Sequence, residues 1–106
     1  SAFDPSGKYC LDALLTPTTP TTAFEMEAVY GNSVLMQYAD QLTVPANHAG
    51  VPALSLPAGL DADQLPVGIQ LIGADFSEDK LFKIGRSFEH ATENEAWRQV
   101  KPQVLR

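Results

Sequence analysis

Cysteine is almost missing from this 106-residue chain, where Cys10 stands alone. A single thiol forms no internal disulfide, which fits a reducing compartment. No base stands near it in sequence, so Cys10 reads as an inert residue rather than a nucleophile. Basic residues are scarce as well: 7 Lys and Arg face 13 Asp and Glu, for a formal net charge of −6. A chain that grips nucleic-acid phosphates by itself needs clustered Lys and Arg, so this class is excluded. The acids are scattered from Asp61 to Glu95 rather than gathered in a tail, as on a solvated surface. No apolar run approaches the roughly 20 residues of a membrane-spanning helix, and no membrane partner is expected.

Motifs that carry chemistry are absent too. There is no Gly-x-Ser-x-Gly elbow. Gly31, Gly50, Gly59, Gly68 and Gly73 are dispersed and build no phosphate cradle. His48 has no second His, Cys or acid at ligand spacing, so no metal site is expected. No two acids are spaced so as to share one catalytic face. By their chemistry these residues bind or support.

What is present is a short α/β pattern. Leu11-Asp-Ala-Leu-Leu15 is a brief apolar run stopped by proline, hence a strand. Thr16-Pro-Thr-Thr-Pro-Thr-Thr22 follows as a stiff extended connector, since proline and β-branched residues both disfavour helix. Phe24 to Gly31 reads as loop. Asn32 or Ser33 caps a helix whose Val34, Leu35, Tyr38 and Leu42 recur at helical spacing. Asp40 lies at the margin of that stripe, where an acid either faces solvent or points into a cleft. Pro45 starts a second helical segment and Gly50 ends it.

Val51 to Pro57 and Pro66 to Gly73 are two further strands, joined by a polar turn at Gly59 to Gln64 and expected to pair as an antiparallel hairpin. Val67, Ile69 and Leu71 share one face of the second; Gly68, Gln70 and Ile72 share the other. Gly68 leaves room for another backbone or a ligand to approach. Asp75 or Ser77 opens a last helix with the stripe Leu81, Ile84, Phe88 and Ala91. Residues 97–106 form a tail that docks through Trp97 or frays. Three strands and one long amphipathic helix leave sheet edges unpaired and apolar faces short of cover. Residues 1–106 therefore read as one partial domain, the C-terminal segment of a larger sheet.

Three blocks occur together and in order: Leu14-Leu-Thr-Pro-Thr-Thr-Pro-Thr-Thr22, Asn47-His-Ala-Gly50-Val-Pro-Ala-Leu-Ser-Leu-Pro57, and Leu65-Pro-Val-Gly-Ile-Gln-Leu-Ile-Gly73. With them the chain resembles the C-terminal part of the amidase signature family, from about Leu11 to about Thr92. Tyr38-Ala-Asp40 and Thr43-Val-Pro-Ala-Asn47 bring it nearest the branch of glutaminase subunits that serve tRNA-dependent amidation.

The resemblance implies a large α/β fold, in which this chain supplies part of a mixed β-sheet with flanking helices. It implies a Ser–cis-Ser–Lys triad that cleaves an amide through an acyl-enzyme, carried by a Gly- and Ser-rich half that these residues do not include. No catalytic residue is expected here, and the 106 residues alone are expected to be inactive. Asp40 is implied to bind substrate, holding the α-ammonium of glutamine. ATP and magnesium, used by the assembled complex, are expected on a partner subunit, with no cofactor in this chain. Other subunits of the amidotransferase are the implied partners, tRNA is reached through them, and the cytoplasm is the implied location. Two other readings stand beside this one: a stand-alone amidase of the same family, and a non-enzymatic α/β binding domain.

Overall fold

The computed structural model describes residues 3–7, 10–24 and 39–100. Within them lie strands β1 (Leu14–Pro17), β2 (Ala53–Leu60) and β3 (Pro66–Ile72), helices α1 (Val44–Ala49) and α2 (Glu78–Ala91), and a 3-10 turn at Ala96–Gln99. The sheet order is β1-β3-β2 and both pairings are antiparallel. The architecture is α/β, with helix α2 laid on one face of the sheet. The helix expected from Asn32 lies outside the described residues up to Tyr38, as do the loop from Glu25 to Gly31 and tail residues 101–106.

The expected hairpin is β2–β3. Its turn is tighter than the polar stretch suggests, because β2 runs on to Leu60 through a one-residue register shift between Pro57 and Gly59. Asp61 closes it: its Oδ1 accepts the N–H groups of Asp63 (2.8 Å) and Leu65 (2.9 Å), and its own N–H donates to Leu65 O (2.9 Å).

Strand β1 starts at Leu14 rather than Leu11 and includes Pro17, the residue expected to lie beyond its end. The pairing explains the difference. Thr18 N–H donates to Gly68 O (3.1 Å), so even-numbered residues of β1 occupy the hydrogen-bonded positions. Pro17 falls at a non-bonded position, where its missing N–H is turned away from β3 and costs the ladder nothing.

The core is thin and one-sided. Leu56 of β2, Leu71 of β3 and Leu81 of α2 are buried, with Leu54, Ile69, Ile84 and Phe88 packed around them. Burying a leucine contributes about 1.5–3 kcal/mol. The helical stripe is as expected through Leu81, Ile84 and Phe88, but Ala91 is exposed because the helix ends there. Gly85 is buried in its place, one turn after Leu81; a Cβ on it would lie 2.9 Å from Leu54 Cδ2. The missing side chain lets α2 settle onto β2. Beyond the helix, Arg98 lies over the rings of Trp97 (4.5 Å) and Phe88 (5.8 Å) and donates from Nε to Thr92 Oγ1 (2.9 Å). Residues 97–100 of the expected tail thus fold back on the end of α2.

Helix α1 matches its sequence signals. Proline occupies its first turn, Ala46 is buried, and Gly50 ends it at φ 72°, with N–H donating to Ala46 O (3.0 Å).

Candidate functional site

The sheet face opposite the core carries a polar cluster beside the apolar Leu14, Ala53 and Ile72. Thr16 and Ser55 both stand in register with Gln70, one on each side of the middle strand. Because side chains alternate along a strand, these three share a face with Gly68. Gln70 is 4% exposed, a buried polar residue inside an otherwise apolar strand. Its Nε2 donates to Thr16 Oγ1 (3.1 Å) and to the main-chain oxygen of Leu42 (2.9 Å). Both hydrogens of the carboxamide are therefore used.

Beside it, the hydroxyls of Thr18 and Ser55 are hydrogen-bonded at 2.8 Å. They close over Gly68, where a Cβ would meet Thr18 Oγ1 at 3.1 Å. The space that Gly68 leaves is faced by this hydroxyl. At the far end of the Thr-Pro connector, Thr22 Oγ1 donates to Asp61 Oδ2 (2.6 Å). The connector is thus fastened along the sheet by hydroxyl contacts. That bond from Thr22, then the N–H of Leu65, hold the Asp61 carboxyl below the ordinary carboxylate range; burial opposes them and the N–H of Asp63 adds to them.

Asp40 is exposed, in a turn that leads into α1. Its main-chain oxygen accepts from Thr43 N–H, Val44 N–H and Thr43 Oγ1, each at 3.1 Å. The main-chain oxygen of Leu42, two residues on, is held by Gln70 from the sheet. The turn is therefore fixed from two directions, while its carboxylate makes no hydrogen bond or ion pair among the described residues. An acid held this way can read a cation.

The described residues assemble no nucleophile with a base. Ser77 and Lys80 have Ser-x-x-Lys spacing, but they point to different partners: Ser77 Oγ donates to Ala74 O (2.7 Å), and Lys80 Nζ pairs with Asp12 Oδ1 (3.2 Å). His48 and Asn47 are exposed on α1, and Cys10 is exposed. Among the described residues no three His, Cys, Asp or Glu side chains gather to hold a metal ion, and no helix is long and apolar enough to cross a membrane. Strand alternation places Gln70 on this face but assigns it no function. Its one signal in the sequence is a polar residue in the run Val67-Gly-Ile-Gln-Leu-Ile72.

The chain is 52% identical over 83 residues to the A-subunit of glutamyl-tRNA(Gln) amidotransferase from Prochlorococcus marinus, covering 78% of this chain and 17% of that protein. It is 45% identical over 94 residues to the same protein of a Picosynechococcus strain, covering 89% of this chain and 19% of that protein. Its fold is similar to the crystal structure of the Thermotoga maritima counterpart, with TM-score 0.66 and 47% identity over 74% of this chain and 17% of that one. The chain thus spans under a fifth of the length of these relatives. The family model described as Amidase matches residues 2–82, which include the Thr-Pro connector, the Asp40 turn and the whole hairpin with Gln70. On that match, the chain belongs to the amidase family.

Proposed function

We propose that this chain is the C-terminal part of the glutaminase subunit of a glutamyl-tRNA(Gln) amidotransferase, and that Asp40 binds the α-ammonium of glutamine. The enzyme hydrolyses the side-chain amide of glutamine and supplies the ammonia that amidates mischarged Glu-tRNA(Gln) in translation. The serines and lysine that cut the amide lie outside these residues, so the 106 residues alone are inactive. Other subunits of the complex carry ATP, magnesium and tRNA, and the assembly works in the cytoplasm.

The observation that carries this reading is the Asp40 turn. A free amino acid differs from a peptide by its charged ends, and a carboxylate on a fixed turn, with no partner among the described residues, is suited to recognise the positive one. A hydrogen bond to a charged group contributes about 1.5–3 kcal/mol, roughly a 10- to 150-fold preference over an uncharged analogue. The sequence kinship with the named amidotransferases supports the choice of glutamine.

Asp40→Asn in the intact enzyme tests the assignment. Two amides are compared: glutamine, and glutaramate, which is glutamine without its amino group. The substitution lowers kcat/KM for glutamine roughly 10- to 150-fold and spares glutaramate. Equal losses on both amides refute the ammonium role.

A further inference from the structure

We propose that Gln70 is the positioning residue for the Asp40 carboxylate, so that selectivity for an amino-bearing amide depends on a side chain that does not touch substrate. The proposal rests on the ammonium-binding reading of Asp40.

Gln70 sits in the middle strand, with β1 on one side and β2 on the other, so its backbone is held by two ladders. Its carboxamide is buried and is directed by two acceptors. A main-chain carbonyl only accepts, so Leu42 O selects the NH2 end of the amide, and Thr16 Oγ1 takes its second hydrogen. The bond to Leu42 joins the sheet to a turn 28 residues away in sequence. Leu42 is two residues from Asp40, whose own carbonyl is fixed by Thr43 and Val44. Main-chain groups on both sides of residue 41 are thereby held, and the direction in which Asp40 leaves the turn is set. Only the short aspartate side chain keeps rotational freedom, so little entropy opposes its meeting a cation. Without Gln70 the turn keeps its own hydrogen bonds but loses this bond to the middle strand. The carboxylate then moves as a unit with the turn.

The test is a double-mutant cycle on the intact enzyme with Gln70→Met, which keeps length and volume but donates nothing, and Asp40→Asn. Glutamine and glutaramate are the substrates. Gln70→Met raises KM for glutamine on the order of tenfold with little change in kcat, and leaves glutaramate unchanged, because a binding contact made equally in ground and transition states appears in KM. In the Asp40→Asn background, Gln70→Met adds no further loss, since the group it positions is gone. The ratio of kcat/KM for the two amides is insensitive to the fraction of enzyme that is folded, so partial destabilisation does not blur the result. If Gln70→Met does not fold, Gln70→Leu, which also lacks the donor and brings no charge, is read in the same way. Parallel losses on both amides, additive effects in the cycle, or failure of both variants to fold overturn the proposal and reduce Gln70 to a structural tie. Failure of Asp40→Asn itself to discriminate the two amides removes the ammonium reading and this proposal with it. Discrimination by Asp40→Asn with none by Gln70→Met removes this proposal alone.

Discussion

The hydroxyl of Thr22 donates to the carboxylate of Asp61 at 2.6 Å, joining residues 39 apart in sequence. One acid thereby closes the β2–β3 turn and anchors the end of the Thr-Pro connector.

This contact predicts a specific acid response. The Asp61 pKa is lowered in the folded chain, first by the Thr22 hydroxyl and then by the N–H of Leu65. A depressed folded-state pKa contributes stability above the unfolded value, about 3.9 for aspartate, that is lost as pH falls through the folded value. Asp61→Asn therefore lowers the thermal midpoint near neutrality, and the deficit shrinks below about pH 4. Parallel wild-type and variant curves across that range count against it. Asp4 is also lowered, by Ser6 two residues away, but it is present in both proteins and cancels in the difference.

Leu81 and Phe82 are neighbours with opposite roles. Leu81 is 2% exposed at the centre of the core, whereas Phe82 is 63% exposed. Leu81→Ala costs about 2–5 kcal/mol by lost contacts and cavity formation. Phe82→Ala changes stability by no more than about 0.5 kcal/mol. Urea denaturation of the two variants checks the contrast, and similar midpoints would contradict it.

The chain has a single tryptophan, Trp97, so its fluorescence reports the segment after α2. Arg98 lies over that ring and reaches Thr92. Arg98→Ala removes a stacking contact of about 0.5–2 kcal/mol and shifts the emission to longer wavelength as the indole becomes more hydrated. Arg98→Lys keeps the charge but not the planar fork, and gives an intermediate shift. An unchanged spectrum for both variants argues against the stack.

Strands β1 and β2 are the two edges of the described sheet, and Leu15 on β1 is 67% exposed. Expressed as these 106 residues, the chain self-associates through such edges. Leu15→Lys weakens that association, because a lysine at an edge resists strand addition. Sedimentation velocity measures the outcome; a wild-type chain that stays monomeric across concentration disproves it.

Local signals are the legible ones. Period-2 alternation marks the hairpin, Pro45 and Gly50 bound α1, and Leu81, Ile84 and Phe88 mark the buried side of α2. Pairings across the chain are not legible. Pro17 reads as a strand stop, because its place in the ladder depends on the register with β3. Gly85 reads as a weak point in a helix, because the space it vacates is filled by Leu54 of another element. Asp40 is singled out by family resemblance, while the residue that ties its turn down, Gln70, is visible only as a polar break in an apolar strand. Hydrogen bonds between residues 28 to 54 apart leave no periodic trace.

The middle strand of the sheet is the last of the three to be made. Thr16 waits for Gln70, 54 residues later, and at roughly 5–20 residues per second that interval is about 3–11 s on the ribosome. Leu14 and Leu15 leave the exit tunnel long before β3 can accept them. The hairpin closes within microseconds of emerging, whereas β1 joins only across a long loop. Nascent chains of this protein thus pass through a window in which the β3 side of β1 is open to chaperones, or to the β3 of a neighbouring chain on the same polysome.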